Sequence, residues 1–531
     1  MELELATNLI TRVNVGDSLT RTAGRCPDQL AIVDGDRSWT YAQLNSRVNE
    51  VANTLFSQGY SRGDALALAS GNSCEFMVTY YVCAKLGLVC VPLNLGWRAD
   101  EIAYVLEHSE SRGIVVEAQL VSLVAPAVEK VPGVRDVIVA AGTGGQYEQS
   151  LPDRSWQTFA DLHTGDRSEP EVFVDDRDPI SYLYTSGTTS FPKGVVASHT
   201  AIYLEALMVA AESGIGRQDR IGALMPLFHT AQLNGFGTPA VMMGATVHLM
   251  RGFDCDGLLD LIEREHLTRI FVLPMMYRAL VDNPTIKDRD LSSLQQAAYA
   301  MAPMPDALLR QCLDTFGCEF YLAFGQTEMS PVTTYFQPEH QLTHPGAVGT
   351  QVVNVQIAIM DPGGHLLPRG EEGEIVYRGP HALNGYLKNP EATAEAFAHG
   401  WFHSGDVGRL DPDGMLWFAD RYKDVIKTGG ENVASIEVEK AVYAADPRIA
   451  EAVIVGLPHP QWIEAITAVV TVQPGAVLDE AELIAAVKSR IAGFKAPKSV
   501  IVVGELPRTS TGKIQKNVLR QQYIDHYSSG R

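Results

Sequence analysis

From residue 40 onward, apolar positions follow helical spacing. Thr40 and Gln43 fit a capping box, Leu44, Val48, Val51 and Leu55 share one face, and Gly59 ends the run. The pattern predicts an amphipathic helix. The unbroken apolar stretch 65–69 predicts a strand, 75–86 a helix closed by Gly87, and 89–93 another strand. Strand, helix and strand in succession imply parallel pairing. Further apolar runs at 114–117, 137–140, 180–184 and 270–273 extend the alternation, so an α/β body is expected to continue to about residue 420.

Beyond that point the pattern changes. Residues 436–444 and 480–491 read as helices, and 452–455, 466–472 and 500–503 as strands, which suggests a compact α+β domain of roughly 100 residues. The expected division is therefore 1–420 and 425–531, joined by 421–424. A chain of 531 residues is also too long for one hydrophobic core.

Composition narrows the function. With 46% hydrophobic and 20% charged residues and no low-complexity tract, disordered and fibrous classes are excluded. A formal net charge of −21 argues against broad binding to nucleic acid or anionic membrane, so a polyanionic ligand must be met locally. The one basic stretch is 488–531, where nine Lys or Arg stand against Glu505 and Asp525. It reads either as a solvated face and tail or as a surface that meets phosphates. Seven sparse cysteines without a Cys-x-x-Cys favour reduced thiols and a cytoplasmic home. The N-terminus lacks a basic region followed by an apolar core, and no window reaches ~18 uncharged apolar residues, so neither a signal peptide nor integral membrane association is expected.

The segment YTSGTTSFPKG, 184–194, sits between two short apolar runs. Thr185, Ser186, Gly187, Thr188 and Thr189 offer hydroxyls and small-residue amides to phosphate oxygens, and Lys193 adds a compact positive charge. Spacing resembles a Walker A loop, but Pro192 replaces its second Gly, Gly194 replaces its Ser/Thr, and the following residues read as strand. A phosphate-gripping loop survives this comparison; a Walker-type ATPase does not. A plain Ser/Thr-rich turn is the alternative.

Three more segments complete a pattern: LAFGQTEMSP at 322–331, HSGDVGRLDPDGMLWFADRYKDVIKTGGENV at 403–433, and PRTSTGKIQKNVLR at 507–520. In this order and spacing, together with the phosphate loop, they resemble the adenylate-forming superfamily of acyl-CoA synthetases, peptide-synthetase adenylation domains and luciferases. The likeness covers essentially the whole chain. It implies a large N-terminal α/β domain of the adenylate-forming fold followed by a small mobile α+β domain, with ATP, Mg²⁺ and CoA as the small-molecule requirements.

Residue by residue, the resemblance implies that the loop 185–193 holds the β- and γ-phosphates of ATP. It places Ala302, Pro303, Phe324, Gly325 and Gln326 around the nucleotide, with Phe324 where relatives often stack a Tyr on adenine. Thr327 would contact the α-phosphate, and Glu328, a hard oxygen ligand, would help hold Mg²⁺. Asp406 matches the acid that accepts the ribose hydroxyls and Arg421 its basic partner. Lys513 matches the catalytic lysine that bridges carboxylate and α-phosphate. Lys423 falls at the hinge, and Lys427, Gly429, Gly430 and Glu431 belong to the segment that replaces Lys513 for thioester formation.

PLFHTAQLNGF, 226–236, matches the acyl-pocket segment, with His229 at its gate and Gln232 and Asn234 following. Amino-acid-activating relatives carry Asp where His229 stands, and 226–240 holds no charged side chain, which disfavours amino acids and dicarboxylates. Ala300, Met301, Ala302 and Pro303 occupy the place where relatives often have Gly-Gly-Ala-Pro or Gly-Ala-Ala-Pro. Projected into the pocket, Met301 would favour a short, medium or otherwise compact acid; turned inward, it would be core. The expected activity is an AMP-forming acyl-CoA synthetase acting on a small-molecule carboxylic acid with ATP and CoA, without nucleic acid, a homodimer being kept open. Three other readings stay open at this point: an acyl-AMP ligase that delivers to a carrier protein, an inactive nucleotide-binding sensor, and a luciferase-like oxygenase.

Overall fold

The computed structural model describes residues 2–527 apart from 145, 148, 150, 186–191, 303, 423, 430 and 510–512, with the side chain of Asn432 also set aside. The chain forms two compact units, one of Met1–Gln356 with Arg378–Phe402 and the other of Ile357–Tyr377 with His403–Arg531.

In the first unit the amphipathic helix is Tyr41–Ser57. The Gln43 amide donates to Thr40 Oγ1 at 3.3 Å and the Thr40 amide to Gln43 Oε1 at 2.8 Å, the reciprocal pair that the sequence implied. Helix Cys74–Leu86 is buried along its whole length, which explains why its apolar residues show no clean stripe, and left-handed Gly87 (φ 67°) stops it. The strands before and after it, Ala65–Ala69 and Val89–Pro92, pair in parallel, Ala65 opposite Val89.

They lie inside a sheet ordered Gly385–Tyr386, Lys193–Ser198, Pro179–Thr185, Val89–Pro92, Ala65–Ala69, Ser111–Glu117, Asp136–Ala140, Ser155–Thr158. Pairing is parallel from Pro179–Thr185 to Ser155–Thr158 and antiparallel at the other edge, where the hairpin Pro179–Thr185/Lys193–Ser198 opens towards the Ser/Thr-rich loop. A second sheet of the same unit has Gln296–Tyr299 and Glu319–Gly325 side by side in parallel, with Val332–Phe336 antiparallel beyond them. Chain reversals at the ends of these strands carry the candidate site.

The second unit holds most of strands Gln356–Met360, Gly373–Arg378, Phe402–Leu410 and Met415–Arg421 in that spatial order, and a separate sheet built on the long antiparallel pair Ile449–His459 and Ile463–Val472. Helices Ser435–Ala445 and Glu480–Lys488 pack on that sheet through Val438, Val442, Leu483 and Val487. The second helix ends at Lys488, three residues before the sequence pattern does. Helix Lys516–Gln522 escaped the pattern because Leu519 is its one buried residue. Lys423, the expected hinge, lies outside the described residues.

Candidate active site

Thr185 closes one strand of the phosphate hairpin and faces Lys193, which opens the next, so both are fixed by backbone register. Ser186, Gly187, Thr188 and Thr189 lie outside the described residues. Lys193 Nζ sits 5.0 Å from the ring centroid of Tyr386. An aromatic face stabilises an ammonium there without neutralising it, which leaves the charge available to an anion.

Strand Glu319–Gly325 carries Phe324 and Gly325 at its C-terminal end, and Gln326 leads into the single turn Thr327–Met329. Gly325 is required for steric reasons: a Cβ there would lie 1.9 Å from the carbonyl oxygen of Pro331. That close approach lets the Gln326 amide donate to the same carbonyl at 2.9 Å and folds the chain back on itself. Thr327 and Glu328 occupy the tip. The Glu328 carbonyl accepts from the Leu383 amide at 2.8 Å, and its carboxylate Oε1 accepts from the Tyr386 hydroxyl at 3.1 Å. Burial, and then the Glu328 carboxylate, push the Tyr386 phenol well above its ordinary value, so it stays a donor. Among the described residues no cation pairs with Glu328. A half-buried carboxylate with one oxygen taken by a neutral hydroxyl fits the demands of Mg²⁺, a hard cation that seeks anionic oxygen.

Behind this turn lies a pair that sequence reasoning missed. Glu205 and His381 are both fully buried, and Oε2 of the first stands 3.1 Å from Nδ1 of the second. Glu205 Oε1 accepts from the Val332 amide at 3.0 Å, and the His381 carbonyl accepts from Ser330 Oγ at 2.8 Å. Burial raises the Glu205 carboxyl above its ordinary value, opposed by the imidazole and the Val332 N–H. Tyr386 was missed as well. The available signal was a charged or polar residue inside an apolar run, as in AIYLEALMV for Glu205.

In the acyl segment, His229 flanks the short helix Thr230–Gln232, which runs into a wider turn of π-helical pitch, Leu233–Gly237. Such insertions recur at functional sites. Asn234 is fully buried and its amide is taken up by protein, donating to Thr230 Oγ1 at 3.0 Å and accepting from the Tyr80 hydroxyl at 3.2 Å. Gln232 is also fully buried, yet neither of its amide atoms has a hydrogen-bond partner among the described residues. Phe236 stacks on Phe271 with centroids 4.8 Å apart. Ala300 is buried, Ala302 is exposed, and Met301 between them takes φ 68°, a left-handed conformation that suits Gly. Pro303 lies outside the described residues.

In the second unit Asp406 and Arg421 face each other across antiparallel strands, 3.5 Å apart. Lys427 lies in strand Ile426–Thr428, and left-handed Gly429 (φ 60°) turns the chain towards Glu431, which pairs with Thr428. A Cβ at Gly429 would meet nothing within 4 Å, so this turn keeps open space beside it. Gly430 lies outside the described residues. Lys513 follows Arg508 in a narrow loop, where its amide donates to Thr509 Oγ1 at 3.1 Å and its carbonyl accepts from the Thr509 amide at 2.8 Å.

The sequence model of the AMP-binding enzyme family matches residues 19–387, and that of the AMP-binding enzyme C-terminal domain matches residues 437–513. The chain belongs to the AMP-binding enzyme family. A feruloyl-CoA synthase of Amycolatopsis is 33% identical over 509 residues, 96% of this chain and 99% of the relative. An indoleacetate–CoA ligase of Aromatoleum aromaticum is 32% identical over 511 residues, 96% of this chain and 98% of the relative. The crystal structure of ATP-bound MatB from Rhodopseudomonas palustris superposes with a TM-score of 0.86 at 29% identity, covering 97% of this chain and all of that one. As an AMP-binding enzyme of this kind, the protein is an AMP-forming carboxylate–CoA ligase, with the two-part adenylate-forming fold that the four motifs implied. ATP and CoA are its co-substrates. Among the described residues, no helix is long and apolar enough to cross a membrane.

Proposed function

We propose that the enzyme activates a compact, non-amino carboxylic acid in two steps at one site. The carboxylate attacks the α-phosphate of ATP, releasing pyrophosphate; CoA thiolate then displaces AMP from the acyl-adenylate. The observation that carries the site assignment is Tyr386, whose hydroxyl meets Glu328 and whose ring lies under Lys193, so that one side chain joins the phosphate hairpin to the Thr327–Glu328 turn.

In this reading Thr185, Lys193 and the hairpin loop hold the β- and γ-phosphates, Phe324 stacks on adenine, and Thr327 contacts the α-phosphate. Asp406 and Arg421 take the ribose. Mg²⁺ held by Glu328 would supply charge neutralisation on the triphosphate. Lys513 places an ammonium between two anions that must meet, which lowers their repulsion in the transition state. The Lys427–Glu431 segment, opened by Gly429, then admits the pantetheine arm. Rotation at 421–424, centred on Lys423, exchanges the two arrangements.

The uncharged stretch 226–240 supports a non-amino acid, with His229 at the gate and Gln232 and Asn234 in the wall. Met301, in its left-handed conformation between Ala300 and Ala302, supports a limit on bulk. Ferulate and indoleacetate, the acids in the two relatives' names, belong in the test beside straight-chain acids. Seven sparse cysteines support work in the reducing cytoplasm. A panel of carboxylic acids assayed for pyrophosphate release, with and without CoA, tests the proposal. A compact acid giving pyrophosphate alone and AMP only with CoA is the expected result; AMP release that ignores CoA would overturn the acceptor, and a preference for amino acids would overturn the acid.

A further inference from the structure

Glu205 Oε2 and both ring nitrogens of His381 make no aligned hydrogen bond to any described group, so the contact between the two side chains is what compensates their burial. Pairs of this kind contribute little to net stability. Desolvation consumes most of the Coulombic gain, and apolar replacements of similar volume are often neutral or stabilising. Fold stability therefore gives no reason for the pair, whereas its position does.

Glu205 stands in helix His199–Ser213, which starts directly after the strand Lys193–Ser198 of the phosphate hairpin. Its other carboxylate oxygen takes the Val332 amide, immediately beyond the Thr327–Glu328 turn. His381 takes Ser330 Oγ on its carbonyl, at the residue that caps that turn. Two residues further, Leu383 donates its amide to the Glu328 carbonyl, Asn384 donates to the Val196 carbonyl at 2.8 Å, and Leu387 donates to the Gly194 carbonyl at 2.8 Å. Segment 381–387 thus stitches the turn to the hairpin, and the Glu205–His381 contact ties the exit of the turn, at Ser330 and Val332, to one helix.

We propose that Glu205 and His381 are positioning residues for the first half-reaction, acting as a buried strut that fixes Thr327 and Glu328 relative to the phosphate hairpin. The proposal rests on the reading of those two residues as the nucleotide and Mg²⁺ contacts. Misplacement of catalytic groups by about an ångström costs up to about 100-fold in rate. Glu205→Leu should accordingly lower kcat/KM of adenylation about 10- to 100-fold, with a raised KM for ATP. CoA thioester formation from supplied acyl-adenylate should stay within about 3-fold of the native enzyme, and so should adenylation in Glu205→Gln, whose amide still accepts from Val332 and faces the ring.

Purified full-length enzyme serves for both half-reactions, with thermal unfolding read in parallel. If Glu205→Leu fails to fold, the double variant Glu205→Leu/His381→Leu, which leaves neither partner orphaned, takes its place under the same expectation. Native adenylation in the folded apolar variant, or equal loss in both half-reactions, would overturn the strut. Glu328→Gln separates the two layers. Should it adenylate normally, the assignment of Glu328 is wrong; should it be crippled while the Glu205 variants are not, only the strut is wrong.

Discussion

The Thr327–Glu328 turn and the Lys513 loop are both assigned to adenylation, yet they are built in opposite ways. The turn is held from several sides by Gly325 against Pro331, by Leu383 and Tyr386 on Glu328, and by the buried Glu205–His381 pair, all inside the first unit. Lys513 is exposed in the second unit, with its backbone paired to Thr509. In the proposed cycle, rigid support suits groups that must meet a polyphosphate in fixed geometry, and exposure suits a charge that arrives for one half-reaction and leaves for the other.

The contrast is tested most severely at the light end. Lys513→Ala should lower adenylation on the order of 100-fold or more, because one preorganised charge is removed, while thioester formation from supplied acyl-adenylate continues. Unfolding temperature should not move, since the loop carries no core. Equal damage to both half-reactions would erase the assigned role.

At the rigid end, Gly325→Ala forces a Cβ against a backbone carbonyl that cannot yield cheaply. About 1–3 kcal/mol of stability should be lost, as for other overpacked sites. Adenylation should fall more than thioester formation, and the two readouts must move together with thermal unfolding, unlike those of Lys513→Ala. A fully active, equally stable Gly325→Ala protein would show that the turn is not held as tightly as its contacts imply.

Tyr386→Phe is milder. It keeps the ring under Lys193 and removes only the hydroxyl that Glu328 accepts. Loss of a hydrogen bond to a charged group is worth about 1.5–3 kcal/mol, so adenylation should drop roughly 10- to 100-fold, towards the lower figure because water can reach a half-buried carboxylate. An increased Mg²⁺ requirement is the expected signature, read as the Mg²⁺ dependence of pyrophosphate release.

The smallest effect is expected at Met301, where position and selectivity meet. A left-handed backbone costs a non-Gly residue about 1–2 kcal/mol, so Met301→Gly should stabilise the fold by about 1 kcal/mol while widening the proposed acyl site. Longer or bulkier acids should gain kcat/KM, chiefly through lower KM. A stabilised protein with an unchanged chain-length profile would place the side chain in the core and end the size argument.

Periodicity read along the chain settled the elements whose signals are local. The Thr40/Gln43 cap, the parallel strands around helix Cys74–Leu86, and the strand after Lys193 all follow from neighbours within a few residues, where propensity and hydrogen-bond chemistry act directly. Four motifs in fixed order were enough to name the chemistry and to propose its groups, because a phosphate loop or a candidate catalytic lysine sits in a recognisable stretch of its own. Glu205, His381 and Tyr386 gave no comparable signal. Glu205 precedes His381 and Tyr386 by about a third of the chain, and each is a single polar residue in apolar surroundings; what unites them is a set of contacts made by sheet pairing and helix packing. Met301 shows the same limit on a smaller scale: its identity was visible as a departure from a Gly-rich stretch, but the left-handed backbone that makes Gly suitable there is imposed by the chain leaving the strand Gln296–Tyr299. Local chemistry is written in order along the chain, whereas support is a property of groups that only folding brings within a few ångströms.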